Sequence, residues 1–125
     1  MKEIRVPMVR KILLKFPDFE AEVELLEKDH PELCEAIRSA LPLEAAIDVW
    51  KEEIYFEIPV QMKPRKPTTR TTAGDVSYWP DGPALCVFFG RSQPVGPVET
   101  FGVIRRGLEN FRRLKAGDRV RVIES

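Results

Sequence analysis

The stretch Gly82-Pro83-Ala84-Leu85-Cys86-Val87-Phe88-Phe89-Gly90, GPALCVFFG, carries six apolar residues in an unbroken, uncharged row between Pro83 and Gly90. A strand with one wet face alternates polar and apolar; this one does not, so both of its faces are covered. Pro80-Asp81-Gly82-Pro83 before it is turn chemistry. Residues 90–97 after it, with two prolines and two glycines, read as a loop. A short strand with both faces buried needs a sheet on each side of it and cover above and below.

The neighbouring segments supply such a sheet. Lys11-Ile12-Leu13-Leu14-Lys15-Phe16 reads as a strand and Pro17-Asp18 as a turn. Glu20-Ala21-Glu22-Val23-Glu24-Leu25 alternates with period two, which predicts a hairpin with the first strand. Residues 43–50, 54–61, 76–79, 99–104 and 119–122 are further strand candidates. Two helices interrupt them. Asp29-His30-Pro31-Glu32 opens one over residues 31–41, with Asp29 as cap and Glu32 at capping-box spacing. Leu108, Phe111 and Leu114 have helical spacing after Gly107. There is no βαβ rhythm. The sum predicts an all-β fold, a closed antiparallel barrel of about eight strands with two short capping helices.

The chain has 125 residues, which suits a single domain spanning 1–125. No apolar run approaches the ~20 residues of a membrane span, and the start MKEIRVPMVRK has no apolar signal core. The expectation is a soluble, cytoplasmic protein without membrane contact. Lys and Arg number 20, and so do Asp and Glu. That balance excludes a strongly basic nucleic-acid module, so no nucleic-acid partner is expected. The two cysteines and one histidine form no metal-ligand spacing, and no metal or cofactor is expected. Cys34 and Cys86 read as small buried hydrophobes. High charge with one Asn and two Gln fits a thermophilic source.

The second half carries a more specific pattern. Thr100-Phe101-Gly102-Val103-Ile104-Arg105-Arg106-Gly107-Leu108 resembles the cyclophilin segment with a Val-Phe-Gly core that leads from a strand into a short helix. Cys86-Val87-Phe88-Phe89 resembles the cyclophilin Ser-Gln-Phe-Phe-Ile strand. Residues 119–123 look like the closing strand. More closely, GDVSYWPDGPALCVFFG is similar to a small prokaryotic cyclophilin-like family without an assigned function. The resemblance covers most of residues 10–124, with the central loop shortened.

The resemblance implies a barrel with a helix at each end and, as one reading, peptidyl-prolyl cis–trans isomerase activity. An isomerase favours the twisted imide over either ground state, with an apolar pocket for the proline ring and a cationic donor at the nitrogen. Carried over, Phe89 falls where cyclophilins place the pocket phenylalanine. Trp79 falls near a small residue bordering the pocket, Val87 replaces a glutamine, and Val98 stands near the usual histidine. Phe56 and Trp50 are further aromatics open to core or pocket roles. No arginine occurs in residues 43–62, where the family's catalytic one lies. Arg65, Arg70 and Arg91 are the remaining candidates. The leading expectation is a domain that binds a peptide or small molecule in a cyclophilin-type cleft without the usual arginine. A divergent isomerase and a self-associating structural domain are the alternatives, with a monomer or homodimer as the assembly. Asp48, Glu52, Glu53 and Glu57 crowd one hairpin and read as solvated edges, and His30 as an exposed neighbour of a helix cap.

Overall fold

A computed structural model of the chain describes residues 10–125. In chain order they form β1 (Lys11–Lys15), β2 (Glu20–Leu25), α1 (Pro31–Ser39), β3 (Leu43–Ala46), β4 (Asp48–Trp50), β5 (Glu53–Glu57), β6 (Asp75–Trp79), β7 (Ala84–Phe88), β8 (Glu99–Arg106), a 3₁₀ helix (Leu108–Arg113) and β9 (Arg119–Glu124). The sheet runs β3-β9-β1-β2-β8-β6-β7-β5-β4, and every pairing in it is antiparallel.

The first and last strands of that order, β3 and β4, are consecutive in the chain. A single buried residue, Ile47, joins them. Its N–H donates to the Asp118 carbonyl (2.9 Å), and its own carbonyl accepts from the Gly117 N–H (2.8 Å). The backbone thus carries the sheet across its own seam, and the barrel is nearly closed. This is why residues 43–50, expected as one strand, are two, and why the barrel has nine strands rather than eight.

Alternation sorts the side chains. Ile12 and Leu14, Ala21, Val23 and Leu25, and Val120 and Val122 point into the interior, while Lys11, Lys15 and Arg121 do not. In β7 all five residues are buried. Leu85 and Val87 belong to the interior; Ala84, Cys86 and Phe88 form a second cluster on the outer face, with Tyr55 and Trp79 packed against it.

α1 covers the end of the barrel reached by Leu25 and pushes Leu33, Cys34 and Ile37 onto it. Its cap is His30 rather than Asp29, and no side chain bonds the free N–H groups there. The 3₁₀ helix closes the opposite end, where β8 leaves the sheet beside β2. Gly107 makes that exit. Its φ is +95°, and a Cβ there would stand 2.7 Å from the Glu20 carbonyl oxygen. Phe111 drops into the end against Phe16 and Phe19, with ring centroids 5.5 and 5.6 Å apart. β5 ends at Glu57, short of the strand expected over residues 54–61, and residues 58–74 form a long connection tied to the sheet by one antiparallel bridge between Thr68 and Val98. Among the described residues no helix is long and apolar enough to cross a membrane.

Candidate functional site

The outer face of β5, β7 and β6 is where the barrel leaves apolar surface to be covered. The register sets Tyr55 opposite Cys86, Cys86 opposite Ser77, and Trp79 opposite Ala84. Glu53 precedes Tyr55 by two residues and so shares its face. Trp50 approaches from β4, and Pro94, Val95 and Val98 approach from the segment before β8. Together these eight residues (Trp50, Glu53, Tyr55, Trp79, Cys86, Pro94, Val95, Val98) line a cleft of about 160 Å³. A dry cavity of about 150 Å³ accepts a benzene ring. The cleft therefore has room for one ring or one compact head group.

Residues 90–98, which form one wall, are pinned from both sides. The Phe89 N–H donates to the Glu52 carbonyl (2.9 Å), the Glu52 N–H to Ser92 Oγ (2.7 Å), and the Arg91 N–H to Glu52 Oε1 (2.9 Å). Gln93 exchanges two hydrogen bonds with the Thr71 backbone, of 2.8 and 3.0 Å. The Arg91 N–H and the Arg112 guanidinium hold the Glu52 carboxyl below its usual range.

Two of the lining residues carry buried polar groups. Trp79 Nε1 is buried and has no hydrogen-bond partner. Glu53 is only 6% exposed. Burial lifts its carboxyl to about 7, opposed in small part by the nearby Cys86 thiol. Burial and the nearby Glu53 push the Cys86 thiol far above its ordinary value, so it is inert and not a nucleophile. Tyr55 is raised by burial, then by Asp48, Glu53 and Cys86. The expectation that Glu53 is a solvated edge is corrected: Trp50 and the 90–98 segment roof it over.

A second cavity, of about 270 Å³, lies where α1 meets residues 62–66. Its floor is a hydrogen bond between His30 Nδ1 and Glu99 Oε2 at 2.6 Å, with both side chains largely buried. Glu99 Oε1 also accepts from the Arg65 N–H (2.9 Å). Burial works to raise the Glu99 carboxyl, but His30 and the Arg65 and Lys66 N–H groups outweigh it and hold it low. His30 is therefore a buried partner, not the exposed neighbour of a cap that its position suggested. The polar groups of this cavity are mostly matched: Arg65 pairs with Glu32 (2.6 Å), and Tyr78 Oη donates to the Val60 carbonyl (2.7 Å).

The structure brings Trp50, Trp79 and Val98 together in the first cleft, and leaves the other sequence candidates elsewhere. Val87 and Phe56 are sealed in the barrel interior. Phe89 lies one residue past β7 and packs against Phe111, with the Arg112 guanidinium 5.5 Å from its ring. Arg65 borders the second cavity, Arg70 is exposed on the long loop, and Arg91 meets Glu52 through its backbone. Glu53, Tyr55 and Cys86 were absent from the sequence candidates for this site. The one sequence sign for Glu53 and Tyr55 was their shared period-two face in a β-rich run. Among the described residues no three His, Cys, Asp or Glu side chains are grouped to hold a metal.

The cyclophilin-like family model matches residues 10–123. The chain belongs to this cyclophilin-like family. A protein of the same fold, the hypothetical protein AF2241 from Archaeoglobus fulgidus, is 32% identical with a TM-score of 0.82, over 94% of this chain and 95% of that one. McbB, solved in complex with tryptophan, superposes with a TM-score of 0.75 at 18% identity, over 90% of this chain and 44% of that one. No curated protein matches. The cyclophilin-like assignment agrees with the barrel and its two end helices. The Phe89 end of β7, where the resemblance put the pocket, is occupied here by Phe111 and Arg112.

Proposed function

We propose that this cyclophilin-like protein is a binding domain. It takes a small organic molecule, or one side chain of a peptide, in the cleft of Trp50, Glu53, Tyr55, Trp79 and Cys86. The observation that carries the reading is the buried Trp79 Nε1 without an acceptor, on a residue that lines the same cleft as the buried Glu53 carboxyl. Buried polar groups are nearly always paired, and an orphaned one costs about 1–3 kcal/mol. A ligand that accepts from the indole and meets Glu53 recovers that cost. The second cavity is larger, but its polar groups already have partners, so it offers a ligand less. Size sets the class: about 160 Å³ admits a ring or head group, and not a folded peptide segment.

Catalysis of proline isomerisation has less support. Among the described residues no arginine lines the cleft, so an imide nitrogen there would meet no guanidinium. Tryptophan, which the same-fold McbB takes, and indole are suitable first probes of a ring-sized cleft. Titrated into isotope-labelled protein, they are expected to move the Trp79 indole N–H resonance. The same sample with a short Xaa-Pro peptide is expected to show no faster cis–trans exchange. Exchange that accelerates, and slows again in Trp79→Ala, favours the divergent isomerase over the binding domain.

A further inference from the structure

We infer that the cleft selects the ammonium head of an organic amine. The inference rests on the cleft being a ligand site and names the class of ligand.

Three aromatic side chains, Trp50, Tyr55 and Trp79, wall the cleft, and their ring faces are electronegative. The chain supplies its own demonstration at the rim: the Lys51 ammonium stands 4.6 Å from the centroid of the Trp50 ring. Lys51 is held there by a turn in which its φ is +53°, the one positive value among the described non-glycine residues. Inside the cleft the ionisable groups are all acids. β5 contributes Glu53 and Tyr55, and β7 contributes Cys86; outside the lining, β4 carries Asp48, exposed but near enough to act on Tyr55. β6 contributes Trp79, and the covering segment contributes Pro94, Val95 and Val98, none of them charged. Glu52, in the β4–β5 turn, is turned toward Arg91 and Arg112. Among the described residues no lysine or arginine forms an ion pair with Glu53 or Asp48.

A buried carboxyl without a cation, inside an aromatic wall, is a site that lacks a positive charge. A neutral guest could fill the volume, but it would leave Glu53 protonated or unpaired. An ammonium guest donates to the carboxylate and lies against the rings in one placement. Its uptake competes with the proton on Glu53.

The test compares benzylamine with benzyl alcohol, which match closely in shape and differ in charge. Binding to the full chain is read by calorimetry and by the Trp79 indole N–H resonance. Around pH 8 the amine is protonated and Glu53 ionised, and the amine is expected to bind at least ~10-fold tighter than the alcohol. Its affinity should fall about tenfold per pH unit once the pH drops below about 7, while that of the alcohol stays flat. Glu53→Gln should erase the difference between the two compounds. Should that variant misfold, the pH profile of the unaltered protein still decides. Equal affinities, or an amine affinity flat with pH, overturn the ammonium inference and leave the cleft as a binding site. If neither compound moves Trp79, the binding reading falls as well. Amine preference surviving in Glu53→Gln removes Glu53 as the selecting group.

Discussion

Glu53 is the residue on which most of the chemistry turns, and it was legible only as one of a crowd of carboxylates. Its side-chain face follows from the period of β5, but its burial comes from Trp50 and from residues 90–98, which lie about forty positions away in the chain. No local pattern reports such cover. The two faces of β7 were not legible for a related reason. A strand without alternation carries no mark of which residue faces which side, and the faces were set by pairing with β5 and β6. Trp79 and Val98 were legible because a resemblance located them. Burial of Glu53 has a consequence for stability that can be measured. Its folded carboxyl sits at about 7, against 4.5 for the free group, so the folded state holds the proton more tightly. The sign follows from linkage: stability is unaffected by this group below about 4.5 and declines as pH rises through about 7. Glu53→Gln should therefore raise the melting temperature at about pH 8, by on the order of 2 kcal/mol of stability, and change it little at about pH 4. A variant equally stable at both would mean that Glu53 carries no desolvation cost.

At the level of elements, alternation made β1, β2 and β9 readable, and Gly107 with its apolar spacing marked the second helix. That helix is 3₁₀ because only six residues separate the left-handed glycine from the extended Leu114. What the sequence hid was the covering segment 90–98, which reads as a plain loop. It is a fixed wall because Glu52 grips it through the Arg91 N–H while also reaching Arg112 at 2.7 Å. Gly90 is part of that grip. A Cβ there would stand 2.2 Å from the Glu52 carboxyl, so an alanine would evict it. Glu52→Ala should release the segment. The expected result is faster hydrogen exchange at the Arg91 amide, with the β1–β2 amides unchanged and about 1 kcal/mol or less of lost stability. Unchanged exchange at Arg91 would show that the backbone bonds of residue 52 to Phe89 and Ser92, with Gln93 and the Thr68–Val98 bridge, hold the wall without the carboxyl.

The molecule as a whole separates scaffold from site. Closure depends on Ile47 crossing the seam between β3 and β4 and on plugs at both ends. All of these join residues far apart in the chain, which is why the sequence predicts a barrel more readily than it counts its strands. Phe111 is the better probe of this arrangement. It is fully buried and touches Phe16, Phe19 and Phe89 at the end opposite α1. The cleft is lined by none of these four, and its inner wall is the outer face of β5–β7. Phe111→Ala removes a ring from a site that can collapse only by moving three other rings, so the cost should fall near the usual ~3–5 kcal/mol for such a truncation. In a domain of this size that lowers the melting temperature by about 10–20 °C. Thermal unfolding followed by circular dichroism measures the loss. Titration below the new midpoint should still move the Trp79 indole resonance with an affinity within about threefold of the parent, because additivity holds for sites without shared partners. A drop of only a few degrees would mean that the end is plugged without Phe111. A large loss of affinity below the midpoint would mean that cleft and plug are one cooperative unit, coupled through β7 and Phe89.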